Sequence, residues 1–185
     1  MLQDFINCYL STDDKPTYKQ VSVKLSTKLN KPVSIEEVRD LYIKLNKDTD
    51  TLKEIQKIRT LRRSIENRSG KKYNFSDFKD FYQWYKNTDK FCCYCGVTET
   101  TLEKVWQNKW RTKRGRGRNL EVERVDSISN LYNSENCKLA CYFCNNHKSD
   151  LITKEHYKKY FATQMKNYLE EISQIKNQNP QKDLL

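Results

Sequence analysis

Two tight cysteine pairs constrain this chain more than any other feature. Cys92-x-x-Cys95 lies in FCCYCG and Cys141-x-x-Cys144 lies in LACYFCNNHK, with 45 residues between the pairs. A two-residue spacing lets one short turn aim both sulfurs at a single point. Two such turns facing each other supply the four ligands, Cys92, Cys95, Cys141 and Cys144, of a tetrahedral Zn²⁺ site. The segment between them ends in LEVERVDSISNLYNSENCKLAC. It holds carboxylates, an asparagine and a strand-turn-strand pattern, where a second, catalytic ion could bind. Zinc would hold the fold, and the residues between the pairs would carry the chemistry.

Composition supports a metal staple. The chain has 185 residues, enough for one ordinary domain or two small ones, and only 36% are hydrophobic. A large apolar core is therefore not expected, and a bound metal would help a small module stand alone. Seven cysteines, an odd number, point to metal ligation rather than disulfides in a chain that is not secreted. The start, MLQDFINCYLSTDDK, lacks the basic residues and apolar run of a secretory signal, so a cytoplasmic location is expected. No stretch approaches the ~20 apolar residues of a membrane helix. Cys8, Cys93 and Cys137 remain as small buried hydrophobes. The net charge of +11 favours a polyanionic partner, most simply nucleic acid. A basic chain rich in Lys and Asn accounts for the same charge.

Helical periodicity dominates the first third. Tyr18, Val21, Leu25 and Leu29 share one face, and Asn30-Lys31-Pro32 ends that helix. Ser34 and Glu37 form a capping-box pattern before Ile35, Val38, Leu41, Tyr42 and Leu45. The pair is compatible with a helix-turn-helix or with a plain helical hairpin. A third helix over 51–66 turns Leu52, Ile55, Ile58, Leu61 and Ile65 inward, and Lys53, Lys57, Arg59, Arg62 and Arg63 outward. Residues 67–72 read as a linker. Ser76 can cap a helix with an aromatic stripe of Phe78, Phe81, Tyr82 and Tyr85. The basic run with Arg111, Lys113, Arg114, Arg116 and Arg118 is broken by Gly115 and Gly117, so it reads as a loop suited to phosphate contacts. Leu120–Asp126 and Cys137–Cys141 read as strands. Thr153 caps one long final helix with Tyr157, Phe161, Met165, Leu169 and Ile172 inward. The expected division is a helical region over 1–70, a zinc-stapled domain over 71–176 and a frayed tail over 177–185.

The strand, loop, strand and helix flanked by two cysteine knuckles resemble the zinc-bearing HNH (ββα-metal, His-Me finger) endonucleases. The resemblance covers about 85–160 and rests on LEVERVD, ENCKLAC and CNNHK. It implies an α+β protein: a ββα-metal HNH module with zinc knuckles plus a helical N-terminal region. It also implies cleavage of double-stranded DNA with one Mg²⁺ or Mn²⁺ ion. By position, the resemblance makes Glu123 a ligand of that ion and Asn145, after the last cysteine, the second ligand. It makes Asn136 the brace of the loop between the strands, and Lys148 a phosphate contact. Restriction-type enzymes of this kind often work as homodimers.

One position departs from the family. Arg124 stands where the family carries the strand histidine that takes a proton from water. A guanidinium stays protonated at neutral pH and cannot serve as an ordinary base. Three readings follow. Arg124 clamps the phosphate while Asp126, Tyr132 or His147 activates water; or water attacks with no dedicated base; or the module only binds DNA.

Overall fold

A computed structural model describes residues 1–11, 16–67, 72–108 and 116–175. The basic residues Arg111, Lys113 and Arg114 and the tail over 177–185 lie outside the described residues. The chain divides into two compact units, Met1–Asn87 and Thr88–Leu185. Phe78–Asn87, which the sequence places with the zinc-stapled domain, belongs to the first unit.

The first unit contains α1 (Leu2–Leu10), α2 (Tyr18–Leu29), α3 (Ile35–Lys47), α4 (Thr49–Glu66), the two-residue strand β1 (Lys72–Tyr73) and α5 (Phe78–Asn87). The caps explain the helix starts. Thr17 with Gln20 opens α2 through a reciprocal capping box, and Ser34 with Glu37 does the same for α3. Asn30 ends α2 in the left-handed conformation, at φ 51°. The start of α5 uses a different residue from the expected Ser76: Asp77 accepts from the Asp80 N–H, and Asp80 accepts from the Ser76 N–H. A carboxylate one position nearer the helix reaches the exposed N–H groups of the first turn better than the Ser76 hydroxyl. Phe5, Cys8, Val21, Leu25, Val33, Val38, Leu41 and Leu45 form one buried cluster. The first turn of α3 carries Glu36 and Glu37, charges that a phosphate backbone repels.

The second unit contains α6 (Glu99–Gln107), β2 (Leu120–Arg124), β3 (Leu131–Tyr132), β4 (Cys137–Cys141), α7 (Tyr142–Lys148), α8 (Lys154–Tyr160) and α9 (Ala162–Gln174). Strands β2 and β4 pair antiparallel, with Leu120 opposite Cys141, Val122 opposite Leu139 and Arg124 opposite Cys137. Helix α7 follows β4 without a spacer residue, completing a ββα unit. Thr153 caps α8 as expected, but the final helix is two helices. They separate at Phe161, whose φ of −125° lies outside helical values. Phe161 is 37% exposed and lays its ring against His147 and Tyr157. Helix α6 is capped by Thr98 and buries Leu102 and Val105. Among the described residues, no helix is long and apolar enough to cross a membrane.

Candidate metal centre and nuclease site

The first knuckle runs into β4's neighbourhood through its backbone. Cys93 N–H donates to the Leu139 carbonyl at 2.8 Å, and Cys92 N–H donates to Val97 at 2.9 Å. Gly96 closes the knuckle at φ +79°, a conformation costly for other residues, while its N–H donates to Cys92. The second knuckle spans the junction of β4 and α7. The Cys141 sulfur accepts from the Cys144 N–H and so caps that helix.

These turns bring the sulfurs of Cys92, Cys95, Cys141 and Cys144 within 4.8 Å of one another, all four residues buried. Cys95 and Cys141 sulfurs lie 3.8 Å apart. Four sulfurs at ~2.3 Å from a central zinc form a tetrahedron with edges of about 3.8 Å. Donor type, number and spacing therefore fit a structural zinc ion. Burial pushes the thiols of Cys93 and Cys137 up to about 12, so both remain neutral apolar fillers outside the cluster.

Strand β2 presents Glu121 and Glu123 on one face, two residues apart, and Val122 and Arg124 on the other. Helix α7 presents Asn145 and Lys148, three residues apart and so nearly one above the other. The two elements meet as two rungs. In the upper rung Asn145 Nδ2 lies 3.5 Å from a Glu121 oxygen. In the lower rung Lys148 Nζ lies 3.2 Å from Glu123 Oε1. Tyr94, from inside the first knuckle, donates its hydroxyl to the same Glu123 oxygen at 2.8 Å. Glu123 is 6% exposed, and desolvation holds its carboxyl above the usual range despite these two partners.

Lys148 is 1% exposed. Its ammonium also donates to Ser127 Oγ and to the Ser149 carbonyl, both at 3.1 Å. Lys148, which the resemblance makes a phosphate contact, forms a buried ion pair with Glu123 in this structure. An ammonium three residues after Asn145 necessarily faces the strand, and there it meets a carboxylate before it meets solvent.

The other sequence candidates fall into distinct places. Asn136 braces the β2–β4 connection: its amide donates to the Asp126 and Leu131 carbonyls and to Ser129 Oγ, and its oxygen accepts from Asp126 N–H. Asp126 folds back on its own loop, accepting from Ile128 and Ser129 N–H groups. Arg124 is 8% exposed, bonded to Asn130 Oδ1, with its guanidinium 5.1 Å above the Tyr132 ring. His147 is exposed on the far side of α7 from Asn145, its Nδ1 3.4 Å from the Tyr157 hydroxyl. Arg116 pairs with Glu121 at 2.7 Å, and Arg118 with Glu103. Tyr94, Glu121 and Ser127 were not legible as site residues, because only the fold brings them to Glu123, Asn145 and Lys148.

The β-hairpin and following helix beside the four-cysteine cluster form a fold shared with a solved HNH endonuclease structure. The chain is similar to PacI, a rare-cutting HNH restriction endonuclease whose structure concerns DNA perturbation, with a TM-score of 0.50. The match covers 60% of this chain and 78% of PacI at 22% identity. No protein family matches the sequence. No curated protein matches it either.

Proposed function

We propose that this chain is a metal-dependent DNA endonuclease of the HNH type, with zinc as its structural ion. The observation that carries the proposal is the Glu123, Glu121 and Asn145 constellation on the ββα frame. A carboxylate and an amide oxygen are hard donors of the kind Mg²⁺ or Mn²⁺ takes. Glu123 and Asn145 would hold the ion, and Glu121 stands beside Asn145 as a further oxygen donor. When bound, that ion polarises a phosphoryl oxygen and neutralises charge on the leaving 3′-oxygen.

The chain's own residues do the rest. Lys148 and Tyr94 fix the orientation of Glu123 from two sides. Asn136 fixes the loop that carries Asp126 and Ser127. Arg124, on the other face of β2, is held by Asn130 and the Tyr132 ring and is assigned to brace the loop after β2. Asp126 and His147 are turned to other partners, so attack by water without a dedicated side-chain base is the reading we adopt. Arg116 and Arg118 are assigned to the DNA backbone, exchanging their carboxylate partners for phosphates.

One observation favours a second reading, a DNA-binding module that does not cut. Glu123 already has a buried cation in Lys148, and Arg124 stands where the family's base does. Plasmid cleavage with Mg²⁺, Mn²⁺ or EDTA separates the two. Metal-dependent cutting that is lost in Glu123→Ala and Asn145→Ala is the expected result. A folded, zinc-loaded protein that shifts DNA on gels yet never cuts it is the result the binding module requires.

A further inference from the structure

The helical unit contains a cleft of about 640 Å³ whose wall includes Tyr9, Tyr18, Tyr42, Gln56, Arg59 and Arg63. That volume lies within the range of small-molecule sites. Gln56, Arg59 and Arg63 follow one another at helical spacing along α4. Tyr9 and Tyr18 flank Tyr42, with ring centroids 6.0 and 5.7 Å from it. No aspartate or glutamate lines the cleft among the described residues, so a cation is not its natural occupant.

Arg59 is the unusual member. Its place among the outward basic residues of α4 predicts a solvated side chain, yet it is 7% exposed. The guanidinium sits between the rings of Tyr9, at 4.5 Å, and Phe78, at 4.8 Å. Nη1 donates to the Tyr9 hydroxyl and Nη2 to the Tyr9 carbonyl, but buried Nε has no hydrogen-bond partner. No carboxylate pairs with Arg59 among the described residues. A buried charge compensated only by ring faces and neutral oxygens is under-compensated, and an anion beside it removes that deficit.

We infer that this cleft binds a nucleoside monophosphate unit, free or as one residue of a nucleic-acid strand. Arg59 and Arg63 supply charge for the phosphate. The tyrosine rings supply a stacking face, and the Gln56 amide supplies both a donor and an acceptor for a base edge. Aromatic stacking and cationic charge in one concavity suit an aromatic anion better than a lipid or a bare oxyanion. The inference does not rest on cleavage by the second unit.

The test uses the zinc-loaded full chain carrying Glu123→Gln, so that no strand is cut. Arginine Nε–Hε resonances are followed while dAMP, dTMP, inorganic phosphate or a short single-stranded oligonucleotide is added. The Arg59 resonance should shift with a nucleotide and much less with phosphate at equal concentration. Tyr18→Ala and Arg63→Gln, at partly exposed positions that leave the core intact, should each weaken binding about tenfold. Thr60→Trp, which fills the cleft, should abolish it. Shifts with the oligonucleotide and none with dAMP or dTMP would assign the site to a strand. Response to both would assign it to the free nucleotide as well. No shift with any nucleotide or strand would overturn the inference, as would affinity unchanged in Tyr18→Ala, Arg63→Gln and Thr60→Trp.

Discussion

Replacing Lys148 with methionine tests how the candidate site is held together. The side chains of Lys148 and Glu123 are 1% and 8% exposed, and their charges are 3.2 Å apart. At an effective dielectric near 20, that separation corresponds to about 5 kcal/mol of attraction. Desolvation of the two ions offsets most of it, so the pair adds little net stability over an apolar pair. Removing only the cation is different, because it strands Glu123 in a desolvated place. Its carboxyl, already above the ordinary value of 4.5, then stays protonated in the folded protein. Holding a carboxyl neutral at pH 7 against that ordinary value costs about 3.4 kcal/mol, at 1.36 kcal/mol per unit. The folded variant thus binds one more proton than its unfolded chain. Its stability is greatest at low pH and falls by up to about 1.4 kcal/mol per unit as pH rises, until the carboxyl ionises in the fold. Urea unfolding of zinc-loaded Lys148→Met beside wild type, followed by tryptophan fluorescence between pH 6 and pH 8, measures the difference. The Lys148→Met loss should be about 3 kcal/mol at pH 7 and grow with pH. Adding Glu123→Gln should remove that growth, since an amide does not titrate. A loss below about 1 kcal/mol, or one flat in pH in the single variant, would refute the buried pair.

Three further outcomes follow from the same geometry. Cys141→Ala removes a zinc ligand and the sulfur that caps α7, so the second unit should become protease-sensitive, and a soluble variant that melts like wild type would contradict a structural zinc. Asn136→Ala deletes four hydrogen bonds that hold the β2–β4 connection and should cost about 2–4 kcal/mol in chemical denaturation; a loss within error would leave the loop braced by other means. Arg116→Ala with Arg118→Ala should lower the salt dependence of DNA binding by about two phosphate units, and an unchanged slope would place both residues away from the backbone.

Local signals in the sequence were strong where chemistry is local. The capping box of α3 and the bounds of β4 were legible because a cap or an alternating strand is decided within a few residues. The cysteine cluster was legible because each knuckle fixes two ligands at once. Other features depend on residues that meet only after folding. Tyr94 joins Glu123 across 29 positions, and nothing in FCCYCG marks its hydroxyl for a carboxylate. Lys148 reads as an ordinary basic residue near the end of a helix until β2 is set against it. Arg59 belongs by periodicity to a solvated face, and its burial comes from Tyr9, fifty positions earlier. The division of the last helix at Phe161 was likewise hidden, since the apolar period runs on through the break.

The zinc cluster and the candidate nuclease site are not two separable modules. Cys141 ends β4 and caps α7, and Cys144 lies in the first turn of the same helix. Asn145 follows Cys144 directly, and Lys148 comes one turn later. The first knuckle is equally committed, because Tyr94 lies between Cys92 and Cys95 and donates to Glu123. Three of the groups that converge on the β2 carboxylates are therefore placed by chain held at the cluster. A small hydrophobic core could not fix a helix of seven residues to a two-stranded sheet with this accuracy, whereas four sulfur ligands can. A zinc ion bound at the cluster would set the position of Asn145, Lys148 and Tyr94 against the β2 carboxylates. Loss of the ion should remove the geometry of the site together with the fold, and no stage with an intact site and an empty cluster should be populated.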